Sequence, residues 1–135
     1  MVVYWRWNDG YTLESDSKDS ADTFIYLGPK GIDSAISIEV TISSTNNGES
    51  AQIQFSQKKA SQVENLDFQD FYRLVRRLFQ AFVLLPQYSN WREVKFTLPI
   101  PTRASQSREP FEEWGDDVGW KYVGVEQGQI LVWQK

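Results

Sequence analysis

The chain has no cysteine and no histidine, and its one methionine is residue 1. Without cysteine there are no disulfides, thiolate nucleophiles, iron–sulfur clusters or cysteine zinc sites. Without histidine the usual general base, the commonest metal-binding side chain and the physiological pH switch are missing. Ser-His-Asp, Cys-His and H-E-x-x-H arrangements are therefore excluded. No G-x-x-x-x-G-K-[ST] or G-x-G-x-x-G run occurs, so nothing points to a glycine loop cradling phosphate. Long apolar runs are lacking too, and no window approaches the roughly 20 residues needed to cross a bilayer. Residues 1–25 show no charged head followed by an apolar stretch, the mark of a secretory signal. These absences lead to the expectation of a cytoplasmic chain with no membrane association, no cofactor and no metal site, which is not an enzyme.

What is present is ordinary in amount and unusual in kind. The 135 residues carry a net charge of −4, with 24% charged and 41% hydrophobic side chains. That profile suits one domain spanning residues 1–135, large enough to bury a core without staples. Aromatic residues reach 15%, as six Trp, six Tyr and eight Phe. Such rings either fill a core or supply interface anchors.

Alternation of apolar and polar residues marks the strands. Val2–Trp7 is rich in β-formers, with Val3, Trp5 and Trp7 on one face, and Asn8-Asp9-Gly10 reads as a tight turn. Tyr11–Leu13 extends the pairing, and the acidic, serine-rich stretch 14–22 is expected to be a polar loop. Thr23–Leu27 forms a strand closed by Gly28-Pro29. Ile36, Ile38, Val40 and Ile42 alternate with Ser37, Glu39 and Thr41. Ile53 and Phe55 do the same along 51–57, giving a hairpin around a loop at 43–50.

From about Phe68 to Leu85 the period lengthens to that of a helix, and Phe71, Val75, Leu78, Phe79 and Phe82 share a face. Asp67 suits its N-cap and Pro86 stops it. Val94, Phe96, Leu98 and Ile100 form another strand, which Pro99 and Pro101 make an edge or an exit. Residues 102–118 are expected to be a second polar loop, and 120–125 with 129–133 close a C-terminal hairpin. The sum is an α+β fold: an antiparallel sheet of about seven strands with one long helix, at about 68–85, packed on one face.

Few residues offer chemistry. Glu93-Val94-Lys95 has the form of the E-x-K element of metal-dependent nucleases, but alternating charges on the wet face of a strand give the same string. Glu14, Asp16, Asp19 and Asp22 invite a calcium reading and lack the spacing of an EF-hand loop. Paired carboxylates can serve glycoside hydrolysis, although clustered acids in a turn are usually surface charge.

Charge is unevenly spread. Residues 1–50 carry three basic and eight acidic side chains, residues 51–108 nine and four, and residues 109–126 one and six. The basic middle includes Lys58, Lys59 and the trio Arg73, Arg76 and Arg77, which lies opposite the apolar helix face. That trio is either solvated surface or a possible anion-binding site.

The leading expectation is a non-catalytic protein-interaction module, of accessory, inhibitor or immunity-like type, that meets a partner protein with a basic surface. Its site is the 102–118 loop, with Phe111 and Trp114 as apolar anchors and Glu112, Glu113, Asp116 and Asp117 steering association. If that loop folds back instead, the two rings become a lid on the core. The alternative is a single-stranded nucleic-acid binder. It would use Tyr4, Phe24 and Tyr26 on a second, exposed sheet face together with the basic middle region. In outline, an antiparallel sheet leading into a capped helix resembles the single-strand-binding domains of the transcriptional-coactivator type. The net negative charge weighs against phosphate binding. A third reading is a small-ligand cup between helix and sheet.

Overall fold

Eight strands and two helices organise the residues that the computed structural model describes, namely 2–16, 22–29, 37–56, 66–101 and 108–135. The strands are β1 (Val3–Arg6), β2 (Thr12–Asp16), β3 (Asp22–Leu27), β4 (Ser37–Thr45), β5 (Ser50–Phe55), β6 (Glu93–Thr97), β7 (Lys121–Glu126) and β8 (Ile130–Gln134). They form one sheet in the order β1-β2-β3-β4-β5-β6-β8-β7. The helices are α1 (Phe68–Leu84) and α2 (Glu109–Asp116), with a 3-10 turn at Pro86–Tyr88. The α+β class stands, and the sheet is mostly antiparallel.

Several boundaries differ from the sequence pattern, each for a physical reason. The sheet is not purely antiparallel, because β5 and β6 run parallel. A parallel pair needs a long crossover, and the segment containing α1 supplies it. That crossover puts β6 inside the sheet, between β5 and β8, and not at an edge; Pro99 falls beyond its last residue. The stretch 14–22 is not all loop. Glu14 to Asp16 belong to β2, Asp22 opens β3, and residues between them lie outside the described set. A strand with one wet face accommodates such polar residues. The β4–β5 loop shrinks to a four-residue turn at 46–49, where Asn46, Asn47 and Gly48 all take positive φ. The expected polar loop 102–118 contains α2.

Register sorts the side chains onto two faces. Leu13, Tyr26 and Ile38 form one cross-strand row, Phe24, Val40 and Phe55 a second, and Ile42, Ile53, Phe96 and Leu131 a third. All of these are buried, on the face that α1 covers. The opposite face shows Thr23, Thr41, Gln54 and Thr97 in one row and Ser43, Gln52, Lys95 and Val132 in the next. No aromatic side chain sits in these rows, and they are polar apart from Val132, which is buried.

The helix obeys its spacing. Asp67 caps it, accepting a hydrogen bond from the Asp70 backbone N–H at 2.9 Å, and that bond holds the Asp67 carboxyl below the usual carboxylate range. Phe71, Leu74, Val75, Leu78, Phe79 and Phe82 are buried on the sheet, while Phe68 and Leu84 at the two ends remain exposed. Phe79 lies flat on Trp133 of β8, with ring centroids 4.1 Å apart. A buried ring of that size contributes about 1.5–3 kcal/mol through area alone.

At the N-terminal edge a bulge between Val3 and Trp5 breaks the expected alternation. Val3 pairs with Glu14 on the wet face, Trp5 pairs with Leu13, and Tyr4 meets Phe24 edge-on at 5.4 Å. The bulge therefore sends Tyr4, Trp5 and Trp7 toward the core side, where they pack on it partly buried.

Candidate functional site

The residues expected to bind a partner lie on α2, and their helical arrangement decides what each does. Pro110 stands in the first turn and Glu109 and Glu112 are acidic there, both favourable at a helix start. Gly119, at φ 79°, lies just past the end of the helix, where a left-handed residue closes it. Between these limits Phe111, Trp114 and Gly115 repeat at helical spacing and are buried, with Val118 following on the same side, half-buried.

The two anchors are core residues. Phe111 and Trp114 are 3% and 4% exposed. Trp114 stacks toward Trp133 at 6.5 Å, Phe111 meets Tyr122 at 5.3 Å, and the Trp133 indole Nε1 donates to the Phe111 carbonyl at 2.9 Å. Their assignment as exposed partner anchors is therefore corrected. They seat α2 on β7 and β8 as a lid, because spacing that puts rings on one stripe also turns them inward.

The acids occupy the other side. Glu112, Glu113, Asp116 and Asp117 are exposed. Glu112 accepts from Arg108 Nε at 3.1 Å, and Asp117 accepts from Arg76 and from Gln80, each at 3.3 Å. Glu113 and Asp116 make no ion pair among the described residues. The result is a short, firmly seated helix presenting carboxylates to solvent.

The arginine trio is not a free cation patch. Arg73 pairs with Asp70 at 2.8 Å and Arg76 with Asp117 at 3.3 Å. Arg77 is more deeply engaged: it donates to Asp9 and to the Tyr26 hydroxyl, and its guanidinium lies 5.2 Å from the Trp7 ring centroid and 5.4 Å from that of Tyr11. These contacts latch the β1–β2 turn onto α1. Burial alone would raise the Asp9 carboxyl, but the hydrogen bonds from Arg77 and the Tyr11 N–H, with the charges of Arg77 and Arg73, hold it below its usual range. Burial pushes the Tyr26 hydroxyl up despite Arg77. Arg77 is thus not solvated surface, and each of the three already has a carboxylate.

The nucleic-acid reading loses its platform. Phe24 and Tyr26 lie under the helix at 2% and 3% exposure, and Tyr4 packs on Phe24. Lys58 and Lys59 fall outside the described residues. Glu93 and Lys95 lie on the wet face, where Glu93 accepts from Gln134 and Lys95 pairs with Glu126, both at 3.2 Å. Glu14 and Asp22, from the calcium reading, face opposite sides of the sheet: Glu14 pairs with Ile25, while Asp22 accepts from the Tyr88 hydroxyl on the helix side. Among the described residues no group of three or more Asp or Glu side chains is placed to hold a metal ion, and no helix is long and apolar enough to cross a membrane.

Two open clefts are lined by described residues, and neither of these two lies between helix and sheet. One, of about 370 Å³, sits by the β4–β5 turn with Glu49, Arg92 and Lys135 on its walls. The other, of about 360 Å³, lies beside the N-terminal hairpin near Arg6 and Glu14. Sequence reasoning missed α2 itself, although Pro110 near its start and the 111, 114, 115, 118 spacing were both legible. Comparison of the chain with protein-family models, with curated proteins and with solved structures finds no match in any of the three.

Proposed function

We propose that the chain is a non-catalytic protein-binding domain that meets a basic protein surface through the outward side of α2. The observation that carries this reading is the pairing imbalance on that helix. The arginines of α1 are matched to carboxylates, whereas Glu113 and Asp116 stand exposed with no ion pair among the described residues. Phe111 and Trp114 contribute by fixing the helix, not by touching the partner. A rigid acidic surface speeds association with a cationic partner and sets its salt dependence more than its final affinity.

The test is affinity capture with the intact chain and with Glu113→Lys/Asp116→Lys, which leaves the Glu112–Arg108 pair in place. A protein retained by the intact chain, lost in the variant and released by salt supports the reading. Equal retention by both, with the variant still folded, removes α2 as the binding surface. Retention of nucleic acid instead would revive the alternative.

A further inference from the structure

Among the described residues the sheet ends in β7, a six-residue strand whose outer edge is not left fully open. Val123 and Val125 are 47% and 39% exposed there. Exposed β-forming residues on an unpaired edge are a template for another strand. One side chain is laid along this edge. Arg108 donates to the Val123 carbonyl at 3.3 Å, covers the Tyr122 ring at 4.9 Å and is held in that pose by Glu112.

The edge also complements itself. A bulge between Tyr122 and Gly124 resets the alternation of β7. Lys121, Gly124 and Glu126 pair with Gln134, Val132 and Ile130 on the wet face, while Tyr122 and Val125 pair with Trp133 and Leu131 on the helix side. Apart from Val123, which has no partner in β8, the face pattern therefore reads the same in both directions about the Val123–Gly124 bond. Two copies laid antiparallel across that point would set Lys121 opposite Glu126 twice, and Tyr122 opposite Val125, each pair on one face. Lys121 makes no ion pair among the described residues, and Glu126, which pairs with Lys95 at 3.2 Å, would be shared with it across the two copies.

We propose that β7 is a self-pairing edge held shut by Arg108, and that removing this side chain lets a second copy of the chain join through it. Occupying the Val123 carbonyl denies an incoming strand one of the few acceptors it needs, and the bulge adds local twist that opposes pairing.

The experiment is the mass in solution, by light scattering after size exclusion, over a wide range of protein concentration. The intact chain is expected to stay monomeric. Arg108→Ala should form a concentration-dependent dimer, Arg108→Ala/Lys121→Glu should return to monomer, and adding Glu126→Lys to that pair should restore the dimer. Arg108→Gln, made alongside, keeps a polar group at the helix start and should also dimerise. A folded, monomeric Arg108→Ala overturns the proposal. So does a dimer indifferent to Lys121→Glu, which would be joined elsewhere, or an intact chain already paired through β7. Unfolding of both Arg108 variants would make that residue a holder of the fold and not a guard, and would overturn it equally.

Discussion

Replacing Gly115 by Ala isolates the seating of α2 in a single methyl group. A Cβ built on Gly115 would stand 2.5 Å from the Trp120 carbonyl oxygen, 2.9 Å from Trp133 Cδ1 and 3.1 Å from the Trp120 carbonyl carbon. Comfortable separations between such atoms are about 3.5 Å, so the helix must withdraw by roughly 1 Å. Two of the three atoms are backbone and cannot swing aside. Withdrawal strains the Trp120 N–H bond to the Gly115 carbonyl, 2.8 Å, and the buried Trp133–Phe111 bond, 2.9 Å. Overpacking of this kind costs about 1–3 kcal/mol, and a weakened buried hydrogen bond adds about 1 kcal/mol. Ala favours the helix over Gly by about 1 kcal/mol, which offsets part of the loss. The expected net destabilisation is about 2 kcal/mol, or roughly 7 °C in Tm for a chain of this length. Urea unfolding followed by tryptophan fluorescence measures it. The sign is diagnostic: a glycine on an open helix surface would gain stability from the same change. A variant as stable as the parent, or more so, would refute the close approach of α2 to β8.

The other expectations can be tested on the same preparations. Trp114→Ala should cost about 3–5 kcal/mol of stability, since the ring is buried, and a variant with unchanged urea midpoint would return Trp114 to the surface. Arg77→Gln should destabilise by about 1–2 kcal/mol because it breaks a charge-assisted, partly buried pair, whereas Arg73→Gln should stay within about 0.5 kcal/mol; equal effects would contradict the latch. Asp9 binds its proton less readily folded than unfolded, so its stabilisation is in place above about pH 4 and is lost as pH falls through the folded value. Arg77→Gln should flatten that acid limb in denaturation curves taken at several pH values. Burial raises the Tyr26 and Tyr88 hydroxyls, with the Asp22 acceptor adding to the effect at Tyr88. Stability should therefore hold up to about pH 10 and then decline, as the unfolded chain loses those protons first; an alkaline limb flat to pH 11.5 would count against both burials.

Local period was the part of the fold that could be read from sequence. The stripe along α1, the alternation along β4 and β5, the cap at Asp67 and the stop at Pro86 all depend on near neighbours, and the structure follows them. What escaped depends on partners far along the chain. That β5 and β6 run parallel follows from the crossover between them, which no string of five residues announces. Glu14 to Asp16 look like loop until β3 pairs along them and β1 pairs with Glu14, whose polar side chain falls on the face opposite α1. The face of Tyr4 is reversed by one extra residue in β1, and a bulge leaves no mark in composition. Arg77 reads as solvated from the helical wheel because Asp9 and Tyr26 lie 68 and 51 residues away.

The α2 segment shows why its site was only half legible. A sequence of acids interrupted by Phe and Trp supports two physical outcomes, an anchor presented to a partner or a ring turned into the core. Composition favours neither. Spacing does, since 111, 114, 115 and 118 close one stripe and leave 112, 113 and 116 outside it. The glycine in that stripe lets the helix come close enough for Trp133 to bond the Phe111 carbonyl. Burial and charge are thereby divided between two sides of eight residues, so they can be perturbed separately. Changes at Trp114 or Gly115 should lower stability and binding together, whereas changes at Glu113 and Asp116 should lower binding at constant Tm. A variant pair in which Glu113→Lys/Asp116→Lys lost stability and kept its partner would reverse this division and leave the acids structural.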